Sequence, residues 1–247
     1  MEKRNYFGDI VVTPISHFIE PSRLLLVWQQ PIHEADGIRS RRIIGEIIRV
    51  NDNQAEFRYL TDSLDYKNAE KEGFLGYPAF RTTKNNHEVN VLAAFTCRLP
   101  SRKRNDFKDY LAAHGLPDDF SGSDFSLLAH TGAKLPGDGF EIIPDLAEAR
   151  PPFDLIIEVA GTRHQKSLVL DEISVGDHVN LFPEPNNQHD KNAIEVIHKT
   201  AGRLGYIPKP YCSAFQKWLD MGILSGRIFK LNGRPDRRLV YLQINIA

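Results

Sequence analysis

The sequence predicts an α+β fold in two domains, an N-terminal mixed antiparallel sheet with helices (residues 1–148) and a C-terminal small β-barrel-like module with one main helix (residues 153–247). A length of 247 residues suits two cores of ordinary domain size. Short strand-like apolar runs recur on both sides of a proline-rich seam, Leu146-Ala-Glu-Ala-Arg-Pro-Pro152, whose two prolines disfavour a continuing helix. Three other segments carry the i, i+3, i+4 spacing of amphipathic helices.

Residues 24–28 and 43–50 read as strands, and the turn residues Asn51-Asp-Asn53 lead into 56–60 as a hairpin partner. Residues 89–98 read as a further strand-like run that buries Cys97. After Pro100, Ser101 is a candidate cap for a helix with Phe107, Tyr110, Leu111 and His114 on one face and Gly115 as its stop. Ser123 is positioned to cap a shorter helix through Phe125, Leu127 and Leu128 to Gly132. Beyond the seam, residues 153–159, 178–182, 193–198 and 204–207 read as strands. One helix follows, with Tyr211, Ala214, Phe215, Trp218 and Leu219 sharing a face before Gly222. The last element is a hairpin of residues 226–231 and 238–246 around the turn Asn232-Gly-Arg-Pro235.

Hydrophobic residues make up 41% of the chain and charged ones 26%, a globular balance that excludes fibrous and disordered classes. No apolar run approaches the ~20 residues that span a bilayer, and no apolar segment follows the charges of Met1-Glu2-Lys3-Arg4-Asn5. A cytoplasmic location without a membrane partner is expected. Cys97 and Cys212 are too few for a disulfide framework or a cysteine-based zinc site, so buried reduced thiols are expected, with no metal or cofactor. The net charge of −1 conceals a gradient, because from Lys199 onward nine Lys and Arg face only Asp220 and Asp236. Such a basic stretch suits a partner rich in phosphate.

The most specific motif is Phe182-Pro-Glu-Pro-Asn-Asn-Gln-His-Asp-Lys-Asn-Ala-Ile-Glu-Val196, with Gly202-Arg-Leu-Gly-Tyr-Ile-Pro-Lys209 after it and Val159-Ala-Gly-Thr-Arg-His164 before it. This order of strand, acidic residue and proline, polar turn, strand and Gly-Tyr-Ile-Pro resembles the HIRAN domain from residue 153 to the C-terminus. The resemblance implies binding of single-stranded or 3′-ended DNA, as in members fused to DNA-remodelling helicases. The residues suit that role. Arg163 and Lys209 can neutralise backbone phosphates. His164, His189 and Tyr206 offer planar faces to a splayed base, and such stacking tolerates any sequence. A carboxylate repels phosphate, so Asp190 is useful chiefly as an acceptor for a free 3′-OH. Asn187 can hold the loop or reach the nucleotide. At His164 and His189 the best-known animal members are expected to carry tyrosines, and imidazole stacks less strongly and can be charged near neutral pH. A purely structural role stands beside this reading: Asp190 and Asn192 can cap their turn, and Tyr206 can be a core residue.

The N-terminal part contains Glu56-Phe-Arg-Tyr-Leu60, Gly73-Phe-Leu-Gly-Tyr-Pro-Ala-Phe80, Phe95-Thr-Cys-Arg-Leu-Pro100, Asp124-Phe-Ser-Leu-Leu-Ala-His-Thr-Gly132 and Pro136-Gly-Asp-Gly-Phe-Glu-Ile142. In order and spacing these resemble the N-terminal subdomain of HipA-type toxin kinases, over residues 8–144. Where such kinases continue into a catalytic core, this sequence passes at Pro151 into the HIRAN-like module. The resemblance therefore implies docking to a protein partner in a toxin–antitoxin, phage defence or DNA repair setting, and no enzymatic activity. Metal-dependent nuclease chemistry needs a Glu-X-Lys pair, whereas Glu195 and Lys199 stand too far apart. No Gly-X-Ser-X-Gly elbow is present, and His130 before Thr131-Gly132 reads as a helix C-terminal residue. Two alternatives stay open, a protein-interaction regulator without DNA binding and a nuclease.

Overall fold

In the run Gln54–Tyr59, Ala55, Phe57 and Tyr59 are buried while Gln54, Glu56 and Arg58 face water, the period of two that a strand with one wet face requires. The computed structural model describes residues 13–30, 40–165, 168, 172–188, 190–234 and 237–247. There this run is β3 (Gln54–Tyr59) of an antiparallel sheet with β1 (Arg23–Trp28), β2 (Arg42–Asn51), β4 (Asn86–His87) and β5 (Phe140–Pro144), in the order β4-β3-β2-β1-β5. An aromatic core that includes Phe57, Tyr66, Phe74, Tyr77, Phe95 and Phe140 packs beside it. The Tyr59 hydroxyl accepts a hydrogen bond from the Tyr77 amide at 2.9 Å and donates to the Phe80 carbonyl at 2.8 Å, which ties the 74–80 loop to the sheet. Burial pushes that phenol up to about 12.

Among the described residues four short helices complete this part: α1 (Leu64–Lys71), α2 (Val91–Thr96), α3 (Phe107–Ala113) and α4 (Asp124–Thr131). The cap signals of α4 act as expected, since the Ser123 hydroxyl accepts from the Ser126 amide and Gly132 ends the helix at φ 69°. For α3 the expected start at Ser101 is corrected. Residues 102–106 form turns, the Ser101 hydroxyl accepts from the Lys103 amide and its carbonyl from the Arg104 amide, and the helix begins at Phe107. The strand expected over 89–98 is also corrected: Val91 and Phe95, four residues apart, turn inward as one face of α2. Cys97, at its end, is exposed rather than buried.

The second sheet contains β6 (Phe153–Glu158), β7 (His178–Pro183), β8 (Ile194–His198), β9 (Gly202–Tyr206), β10 (Leu224–Arg234) and β11 (Arg237–Ile246), in the order β6-β11-β10-β7-β8-β9. It curls until its two ends meet, where Ala160, just past β6, exchanges two backbone hydrogen bonds of 2.8 Å with Tyr206 of β9. The helix α5 (Lys209–Asp220) packs on it through Tyr211, Phe215 and Trp218. The α+β class expected from the sequence is the class observed, with a half-barrel and one main helix in the C-terminal part. Of the expected turn 232–235, Asn232 to Arg234 extend β10, and Pro235 lies outside the described residues.

The two sheets share their packing. Val27, Ile143 and Leu146 belong to the same apolar cluster as the curled sheet and α5. Asp154 of β6 is buried, and its carboxylate accepts from the amides of Ser16 and His17 at 3.0 and 3.1 Å and from the Asn245 side chain at 2.8 Å. Gly115, after α3, sits so close to β6 that a Cβ would lie 2.8 Å from Ile156. These contacts fix the edge of the curled sheet against the N-terminal part, and the cleft described next lies along that junction.

Candidate nucleic-acid interface

Gly205 adopts φ 145°, and a Cβ on it would stand 2.3 Å from the Ala160 carbonyl. Only glycine admits this approach, which brings β9 against the end of β6. Gly161, at φ 78°, then turns the chain into the 3₁₀ turn Thr162–His164. As a result Arg163 and His164 project beside Tyr206, both exposed. The Arg163 Nε donates to His164 Nε2 at 3.1 Å, which holds the guanidinium along the imidazole.

A cleft of about 520 Å3 opens here. Arg163, His164, Asn187, Asp190, Tyr206 and Lys209 all line it, so the structure brings six of the seven residues selected from the sequence into one site. The seventh, His189, lies outside the described residues.

The polar loop 184–193 is held by its own side chains. Asn187 Nδ2 donates to Glu184 at 2.7 Å and its Oδ1 accepts from the Asp190 amide at 3.1 Å, while Asp190 Oδ1 accepts from the Asn192 amide at 2.9 Å. Asn187 therefore serves the loop, and Asp190 combines a turn-capping oxygen with a place on the cleft wall. The Asn187 amide also holds the Glu184 carboxyl below its ordinary range. Tyr206 is half-buried, and burial with Glu184 beside it keeps its phenol above the usual value. The Arg203 guanidinium lies 5.7 Å from the Tyr206 ring centroid and donates to the hydroxyl at 3.1 Å. One ring face is thus already occupied by a cation.

Lys209 differs most from the sequence reading. Its ammonium is not a free phosphate ligand but pairs at 3.1 Å with Asp65, in the first turn of α1. The basic stretch after Lys199 also does not form one patch. Lys209 and Arg238 line the cleft, but Arg203 pairs with Glu195, Arg227 bonds Gln243, and Lys230 lies over the Tyr241 ring.

The sequence reading missed the opposite wall, where Gln29, Ser40, Arg41 and Arg42 come from the N-terminal part. The run Arg39-Ser-Arg-Arg42 is a basic cluster in an otherwise acidic region and was the available signal. Both wall arginines are committed to carboxylates, Arg41 to Glu141 and Glu158 and Arg42 to Glu72 and Asp65. Cys212 lies at the base of the cleft, buried, with its thiol pushed up to about 12 by burial. Among the described residues no cluster of His, Cys, Asp and Glu could hold a metal ion, and no helix is long and apolar enough to cross a membrane.

No curated protein matches the chain. Two solved structures are similar to parts of it. The HIRAN domain of human HLTF shares 24% identity over 38% of this chain and 74% of its own, with a TM-score of 0.31. A protein from Lactobacillus plantarum shares 28% identity over 37% of this chain and 98% of its own, with a TM-score of 0.28. Residues 152–239, which carry every residue selected from the motif, match the family model of the HIRAN domain, known as a DNA-binding module.

Proposed function

We propose that the chain is a non-enzymatic DNA-binding protein whose C-terminal domain, residues 153–247, takes a single-stranded or 3′-ended DNA terminus into the cleft. Arg163 contacts the backbone, His164, His189 and the open face of Tyr206 receive the terminal base, and Asp190 accepts the 3′-hydroxyl. The reading rests on one observation: residues scattered from Arg163 to Lys209 line a single cleft, and both rims carry cations. The N-terminal domain, residues 1–148, resembles a HipA-type docking subdomain, and on that likeness it engages a protein partner in a toxin–antitoxin, defence or repair setting in the cytoplasm.

Fluorescence anisotropy of the full chain with a 3′-ended oligonucleotide, with and without Mg2+, tests the reading. Binding without cleavage is expected. An absence of binding would leave a protein-interaction regulator, and Mg2+-dependent cleavage would make the protein a nuclease.

A further inference from the structure

Lys209, the first residue of α5, and Asp65, in the first turn of α1, belong to different sheets' surroundings, yet their side chains meet at 3.1 Å at the edge of the cleft. Asp65 is well held. Its Oδ2 accepts from the Ile43 amide at 3.2 Å, and its Oδ1 also lies 3.6 Å from Arg42. Its side chain is only 17% exposed against 46% for Lys209. The lysine is therefore the mobile partner of a fixed carboxylate. A phosphate approaching Lys209 meets a cation whose charge is already cancelled, with a negative charge directly behind it. Like charges at such separations repel appreciably in the reduced dielectric of a cleft wall.

We propose that Asp65 sets the DNA affinity of this cleft: the N-terminal part holds Lys209 through the Asp65 carboxylate, and a DNA phosphate gains the lysine only in exchange for it. This inference rests on the DNA-end reading above and adds a residue to it from outside the matched domain. It also gives the N-terminal part a direct role in the cleft, because anything that shifts α1 alters the charge presented to DNA.

Asp65→Asn in the full chain keeps an oxygen acceptor for the Ile43 amide and removes the charge. Single-strand binding is expected to tighten roughly threefold to tenfold, since weakly buried pairs have modest worth. The log–log salt dependence is expected to steepen by about 0.7, the contribution of one further phosphate contact. Because Asp65 also lies near Arg42, the double variant Asp65→Asn with Lys209→Gln isolates the lysine, and its slope is expected to return to that of the native chain. In the otherwise unaltered chain, Lys209→Gln is expected to weaken binding with no change of slope, because a lysine that trades one anion for another releases no net counterion. This arm reports even if the Asp65 variant does not fold. Equal affinity and slope for Asp65→Asn, a slope shallower by about 0.7 for Lys209→Gln, or a steeper slope that persists in the double variant would each overturn the inference while DNA binding by the unaltered chain still stood. No DNA binding by any form would overturn both.

Discussion

At the scale of single residues, burial decides what each polar group can do. His130 closes α4, where the helix dipole would favour a charged imidazole, but it is 6% exposed and its Nε2 accepts from the Ile19 amide at 3.0 Å. Burial depresses it to about 4. Protonation would need that acceptor nitrogen, so the folded state binds the proton less readily than the unfolded chain, whose histidine titrates near 6.5. Its contribution is complete above pH 6.5 and is lost as the pH falls toward 4, by about 3 kcal/mol. Denaturation across this range should show a steeper acid loss for the native chain than for His130→Gln, and parallel profiles would contradict the assignment. The thiols separate in the same way. One thiol, that of exposed Cys97, is expected to react with a thiol reagent in the native protein, and Cys212 only after unfolding; two rapidly reacting thiols would show that α5 does not seal Cys212. Six of the residues selected from the motif line the cleft, but their partners were not legible in the sequence. The likeness to the HIRAN motif points to Arg163 and Asp190, whereas the Asp65 carboxylate on Lys209 exists only through pairing distant in sequence.

At the scale of elements, legibility followed the strength of local signals. The α4 helix was readable because Ser123 and Gly132 supply a side-chain cap and a left-handed stop at its two ends. The run 89–98 was not, because its central six residues, 91–96, fit a strand and a short helix equally well by composition, and the contact of Phe95 with Phe57, Tyr77 and Phe80 decided it. The attachment of residues 15–17 to β6 was likewise invisible, as it combines a buried carboxylate with a 2.8 Å hydrogen bond from the Asp154 amide to the His17 carbonyl, both between residues distant in sequence. Asp154→Ala would leave the amides of Ser16 and His17 and the Asn245 side chain without that acceptor. A hydrogen bond to a charged group is worth about 1.5–3 kcal/mol, and because Ser16 and His17 are exposed water replaces part of what they lose, so a loss of about 2–4 kcal/mol is expected in denaturant titration. A loss below about 0.5 kcal/mol would mean that this edge is not anchored through Asp154.

At the scale of the whole molecule, the α+β class and the strand-rich C-terminal module were legible from hydrophobic periodicity and turn residues. The placement of the cleft along the junction of both sheets was not, since no local pattern brings Arg42 and Asp65 to Lys209. For the proposed DNA-end site, a walled cleft with a carboxylate suits a chain end better than a continuous strand. The most direct measurement is the ratio of affinities for 3′-hydroxyl and 3′-phosphate oligonucleotides, taken for the native chain and for Asp190→Asn, whose amide oxygen preserves the turn cap on the Asn192 amide. A charge-assisted hydrogen bond is worth about 1.5–3 kcal/mol. The native chain should therefore prefer the hydroxyl end by roughly tenfold or more, and Asp190→Asn should bring the ratio toward one at an unchanged melting temperature. Equal affinity of the native chain for both ends, or an undiminished preference in the variant, would contradict recognition of a DNA end by this cleft.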